Sequence, residues 1–299
     1  MQINSNINNS YALFKPTLRN SLGILFLTFF VMMIVVSFMQ LAVSKIITDP
    51  RNSFIISSAL QAVLMFIFPS FLTAYLCNPS PLQYLGLKNK VYPAEFIGVI
   101  IVFVIATPAL NVIIDWNANI SFPENAYWLE KNFREWEDNA AAITQMVLGD
   151  TSIWGLISGI LFVGCLTGLA EEMFFRGGIQ RAMVKAGINY HLAVWCGAFI
   201  FSAIHFQFFG FVPRLIIGAS LGYLYYYSGS LWVAAFAHAV NNSAVVLTSW
   251  MAARKLISVE IDRIGIGEDF IMALVSLIFT FIIIYFFGKK LFYYRNGKI

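Results

Sequence analysis

Charge is what this chain has little of. Asp, Glu, Lys and Arg make up 11% of its 299 residues, against 59% that are hydrophobic. Soluble domains carry roughly 25% charged residues, and the mean hydropathy here is +0.75. Cysteine is also scarce. Cys77, Cys165 and Cys196 lie scattered in apolar segments with no CxxC pair, so they read as small hydrophobes and exclude a disulfide framework. The H-E-x-x-H zinc signature is absent, as are a repeat of fixed period and a linker between domains. No short apolar stretch with a small-residue cleavage site follows the polar N-terminus, so the first apolar segment is expected to be retained.

What the chain has instead is long apolar runs. A span needs about 20 residues, and runs of that order fall at about 20–46, 54–77, 92–115, 152–185, 190–209, 211–228, 230–251 and 269–288. The expected fold class is all-α, a polytopic membrane helix bundle with about eight transmembrane helices. The fourth run is hydrophobic only to Phe175, then continues in helical pattern through Arg176, Arg181 and Lys185 to a stop at Gly187. An even number of spans puts both termini on one side. That side carries the excess of Lys and Arg, including Lys15, Arg19, Lys88, Lys90, Arg181, Lys185, Lys289, Lys290, Arg295 and Lys298. The opposite side is richer in acid, for example Glu135, Glu137, Asp138 and Glu260. The positive-inside rule then makes both termini cytoplasmic, in a bacterial-type cell membrane. The net charge of +4 reflects this bias, and no nucleic acid partner is expected.

The organisation expected is an N-terminal set of spans with an amphipathic stretch over 1–150, a core over 151–251, and a polar loop with a last span over 252–299. Within the longest polar stretch, Tyr127, Trp128, Leu129, Phe133 and Trp136 fall on one face of a helix, which suits the membrane interface or a lid. Gly218-Ala-Ser-Leu-Gly222 matches the G-x-S-x-G pattern of a nucleophile elbow. Its flanks are helical rather than strand–turn–helix, so it reads as a packing face of the GxxxG kind.

A few ionisable residues interrupt the apolar core. Such residues at membrane depth are costly and mark functional sites. Glu171 and Glu172 are adjacent in the fourth run, and Glu172 and Arg176 are spaced i, i+4 for pairing. Glu171 points about 100° away, free to act as a base. His205 follows Phe201 at i+4, and His238 and Asn242 share a face one turn apart, where both can donate toward a developing oxyanion. His191, at a helix start, is expected to lie outside the site. This set suits activation of water for attack on a peptide carbonyl. It also suits a zinc site, with Glu171, His205 and His238 as ligands.

At Glu171-Glu172-x-x-x-Arg176, Phe201-x-x-x-His205 and His238-x-x-x-Asn242 the chain resembles the CPBP intramembrane proteases, also called the Abi or CAAX-protease family. The resemblance implies a membrane endopeptidase acting on a peptide or membrane-associated protein at the lipid bilayer. It implies that Glu171 activates water with help from His205, that His238 and Asn242 stabilise the oxyanion, and that Glu172 and Arg176 shape the site. The family is often labelled metalloprotease; here no obligatory metal is expected, and zinc is the ion to test. Two other functions compete: a non-catalytic immunity or scaffold protein, and a proton-coupled transporter. The basic end of the fourth run suggests a site opening toward the cytoplasm.

Overall fold

The computed structural model of the protein describes residues 12–257 and 259–296, with side chains for 12–257 and 261–286. Lys298 and the side chains of Glu260, Lys289, Lys290 and Arg295 lie outside that range. Among the described residues there is no strand. The long helices are α1 (Leu18–Ile46), α2 (Pro50–Cys77), α3 (Pro93–Ala118), α4 (Tyr127–Leu148), α5 (Ile153–Lys185), α6 (Tyr190–Ala203), α7 (Phe211–Ser228), α8 (Leu231–Ala253) and α9 (Phe270–Asn296). All but α4 and α6 belong to the seven segments long and apolar enough to cross a membrane. The protein is an integral, multi-pass membrane protein.

The helix ends follow local chemistry. Thr17, Asp49 and Ser152 cap α1, α2 and α5 by accepting from the backbone N–H three residues on. Helix α5 stops at Gly187, whose φ of +84° only glycine adopts at no steric cost. Ile188 N–H then closes on Met183 C=O, and Gly187 N–H on Val184 C=O, the Schellman arrangement. The stop expected at Gly187 is where the helix ends.

The expected span over 190–209 is shorter in the structure. Helix α6 has 14 residues and ends at Ala203. His205 is the reason. Its Nδ1 sits 2.7 Å from the Phe201 carbonyl, which the next backbone N–H would have used, and the chain turns through Phe206 at φ 53°. A helix of that length rises only about 21 Å. It returns as α7, so α6 and α7 form a tight hairpin.

Helix α5 is the centre of the bundle. Glycines set its distance from the antiparallel α8. A Cβ on Gly159 would lie 2.7 Å from Val246, one on Gly164 2.3 Å from Ser243, and one on Gly168 3.1 Å from the Ala239 backbone nitrogen. These contacts lock the register of α5 against α8. Gly218 and Gly222 do the same on α7, where added Cβ atoms would meet Phe201, Ala198 and Val194. Ser220 between them is exposed and donates to its own helix at Ile216, so the G-x-S-x-G stretch is a packing face.

Two stretches of α5, Gly159–Leu166 and Met173–Gln180, are wound as π-helix. They flank the α-helical Thr167–Glu172, which carries both glutamates. Wider turns of this kind recur at functional sites. Sequence periodicity assumes a uniform 3.6-residue repeat and does not reveal them.

Candidate active site

The buried centre is built from α5, α7 and α8. Glu172 is 0% exposed and Arg176 2%. Arg176 Nη1 donates to Glu172 Oε1 at 2.5 Å, the pairing that the i, i+4 spacing suggests. The second nitrogen, Nη2, donates to the Gly218 carbonyl at 2.7 Å. Close packing at Gly218 thus also delivers a carbonyl to a buried guanidinium. Glu172 Oε1 lies 2.8 Å from His238 Nδ1. On the other side of the ring, His238 Nε2 faces Glu171 Oε2 at 3.5 Å. His238 therefore stands between the two glutamates.

This arrangement sets the tautomer. Glu172 Oε1 already accepts from Arg176, and it accepts a second hydrogen bond from His238 Nδ1–H. The Nε2 lone pair is then directed at Glu171. A carboxylate that orients an imidazole, whose other nitrogen works on the reacting group, is the logic of the Ser-His-Asp triad without the serine.

His205 and Asn242 are less directly joined. The Phe201 ring packs edge-on to both histidines, with centroids 5.1 Å from His205 and 5.7 Å from His238. His205 Nδ1 is committed to the Phe201 carbonyl, which leaves its Nε2 as the acceptor. Asn242 donates to the Val163 carbonyl at 3.2 Å and accepts from Asn241 at 3.2 Å. Its amide thus joins α8 to α5 rather than standing open beside His238. His191 bonds Tyr223 OH at 2.8 Å among tyrosines of α6 and α7, away from the glutamates.

The zinc set does not assemble. Both ring nitrogens of His238 face carboxylates and His205 Nδ1 is taken. Among the described residues, no group of three His, Cys, Asp or Glu is placed to hold a metal ion. Glu171, His205 and His238 do not fit a shared coordination sphere here.

Arg214 is a functional candidate that the sequence reading passed over. It sits in the first turns of α7, inside an apolar span, and lies within electrostatic reach of Glu171. Its Nη2 donates to Gln207 Oε1 at 2.7 Å, and Nη1 is buried without a hydrogen-bond partner. The rule that flags intramembrane charge would have found it.

The two ends of α5 differ in how closely they are packed. Toward Lys185, every residue from Met173 to Gln180 is buried. At the other end of α5, a cleft of about 620 Å³ lies between α4 and the last turns of α8, lined by Glu137, Thr144, Gln145, Gln207 and Ser249 among others. Helix α4 is the amphipathic helix, and it is pinned there by Arg134. That side chain donates to the Ala118 and Ile120 carbonyls at 2.9 and 3.1 Å and lies 3.3 Å over the Phe209 ring. Phe133 stacks on Phe208 at 5.2 Å. Burial pushes the Glu137 carboxyl above its ordinary range, against the opposing pull of Arg214.

The two ends of α5 should therefore label from opposite faces of the membrane. Gln145→Cys, in the cleft, and Gly187→Cys, in the turn after α5, can each be placed in a chain lacking the native cysteines. Impermeant thiol reagents should reach Gly187→Cys from the cytoplasm and Gln145→Cys from the far side, given the distribution of Lys and Arg. Labelling of both from one face would overturn this orientation.

Comparison with known proteins meets the chain at this same core. The family described as Rce1-like, type II CAAX prenyl endopeptidase Rce1-like, matches residues 153–244. The Uncharacterized protein YpbD of Bacillus subtilis (strain 168) is 34% identical over 86 residues. That alignment covers 27% of this chain and 41% of the relative's own length. No solved structure matches.

Proposed function

We propose, from the match of residues 153–244 to the Rce1-like family of type II CAAX prenyl endopeptidases, that this chain is an intramembrane endopeptidase cleaving a membrane-associated peptide or protein with water activated by Glu171 and His238. Residues 151–251 form the catalytic core. The observation that carries this reading is the imidazole of His238 held between Glu172 and Glu171 in the middle of the bundle.

The chemistry follows from that relay. A water beside Glu171 gives one proton to the carboxylate while its oxygen adds to the substrate carbonyl carbon. The tetrahedral oxyanion needs donors, and Asn242 supplies its amide once it leaves the Val163 carbonyl. His205 Nε2 holds the water in line. When the carbon–nitrogen bond breaks, the proton on Glu171, shared with His238 Nε2, passes to the leaving nitrogen. Glu172 and Arg176 take no proton; they fix the ring.

The test is a comparison of membrane peptides from cells carrying the wild-type chain and cells carrying Glu171→Ala. At least one peptide or protein should stop being processed in the variant. Identical inventories, with any cellular phenotype retained, would favour a binding role and sink proteolysis.

A further inference from the structure

Two buried polar atoms beside the cleft have no hydrogen-bond partner: Glu137 Oε2, an acceptor, and Arg214 Nη1, a donor. Leaving such buried groups unsatisfied is costly, more so when they are charged, so they call for an explanation. They belong to neighbouring groups, since Glu137 and Arg214 lie within electrostatic reach of each other. Glu137 lines the cleft directly. Arg214 donates through its other nitrogen to Gln207, another lining residue. Arg214 is also within electrostatic reach of Glu171. Arg214 is thus within electrostatic reach of both a cleft-lining carboxylate and the base.

The chemistry of the pair selects its ligand. One orphan donor and one orphan acceptor on neighbouring groups match a peptide group, which offers one C=O and one N–H. A carboxylate fits less well, because Glu137 and Glu171 already offset the Arg214 charge. The cleft carries a carboxylate, two hydroxyls and two amides at Glu137, Thr144, Ser249, Gln145 and Gln207, set among apolar surface at Ala141, Leu148 and Ala253. It therefore offers both hydrogen-bonding groups for a backbone and apolar contact for side chains. Its volume of about 620 Å³ lies within the roughly 300–1,000 Å³ of ligand-binding clefts.

We propose that the cleft between α4 and α8 seats an extended peptide segment of the substrate, with a backbone carbonyl accepting from Arg214 Nη1 and a backbone N–H donating to Glu137 Oε2. This rests on the proteolytic reading of the core and adds where the chain enters it. Rotation of Gln207 brings the guanidinium to the cleft, and the bound segment then leads past Arg214 to Glu171. Glu137 and Arg214 are positioning residues for the substrate, and recognition is of backbone rather than of one side chain.

The experiment uses the full chain reconstituted in lipid and a quenched-fluorescent peptide pool of randomised sequence. Thr144 is exposed, so Thr144→Trp narrows the cleft without disturbing the bundle. Glu137→Ala removes the acceptor, and Glu137→Gln restores one carbonyl oxygen. KM should rise about tenfold in Thr144→Trp and Glu137→Ala, the effect of one lost hydrogen bond to a charged group. The kcat should hold, and Glu137→Gln should recover part of the loss. Binding of the same pool, labelled and followed by anisotropy in a Glu171→Gln background, should weaken in parallel. Unchanged KM and binding in both cleft variants, with cleavage still dependent on Glu171, overturns the peptide seat and leaves proteolysis standing. Binding that depends on the cleft without any cleavage sustains the seat and overturns proteolysis. Neither binding nor cleavage overturns both.

Discussion

His238→Ala lowers kcat by about 10²–10⁴-fold, the usual worth of a positioned proton-transfer group, and by more than His205→Ala does. The order matters, because the family pattern makes His205 the partner of the base. In the structure it is His238 that lies 3.5 Å from Glu171 and 2.8 Å from Glu172, whereas His205 spends one nitrogen on the Phe201 carbonyl. Removing the ring deletes the proton path on one side of Glu171. It leaves Glu172 still paired with Arg176, so folding survives at a cost of about 1–3 kcal/mol for the lost hydrogen bond. The measurement is kcat for both histidine variants in detergent, alongside the unfolding midpoint. His205→Ala as the more damaged enzyme would reverse the assignment and return His238 to an oxyanion role.

Arg176→Met has its largest effect on stability. Removing the guanidinium strands a fully buried Glu172 with only a histidine beside it, and breaking one partner of a buried ion pair costs about 3–5 kcal/mol. The lost donation to the Gly218 carbonyl also weakens the contact between α5 and α7. Thermal unfolding in detergent should show a large fall in midpoint and in folded yield. The double variant Glu172→Gln with Arg176→Met should regain part of that stability, since no charge is left unpaired, but no activity, since the carboxylate that orients His238 is gone. Recovery of both together would mean that the pair is structural alone.

How much of this was legible in the sequence depends on the distance over which each feature is set. Short-range features were legible. The apolar runs gave the membrane bundle, Gly187 gave the end of α5, and the spacing of Glu172 and Arg176 gave their ion pair, because a single helix fixes the relation between residues one turn apart. The intramembrane glutamates and histidines were visible by their cost alone. Even the packing role of Gly218 and Gly222 followed from helical flanks. The length of α6 did not, because hydropathy runs on through His205 while a ring nitrogen claims the carbonyl that would have extended the helix.

Long-range features needed the tertiary structure. Glu172 and His238 are 66 positions apart, and no periodicity on either helix says how far one is rotated or slid against the other. That was decided by where Gly159, Gly164 and Gly168 let α8 approach. The resulting register brings His238 between the glutamates and turns Asn242 to the Val163 carbonyl. The cleft at the α4 end and the bond from Arg214 to Gln207 arise in the same way, from four helices meeting. A sequence states which groups a chain carries into the bilayer; only the packed bundle, through the contacts its small residues permit, states which of them face one another.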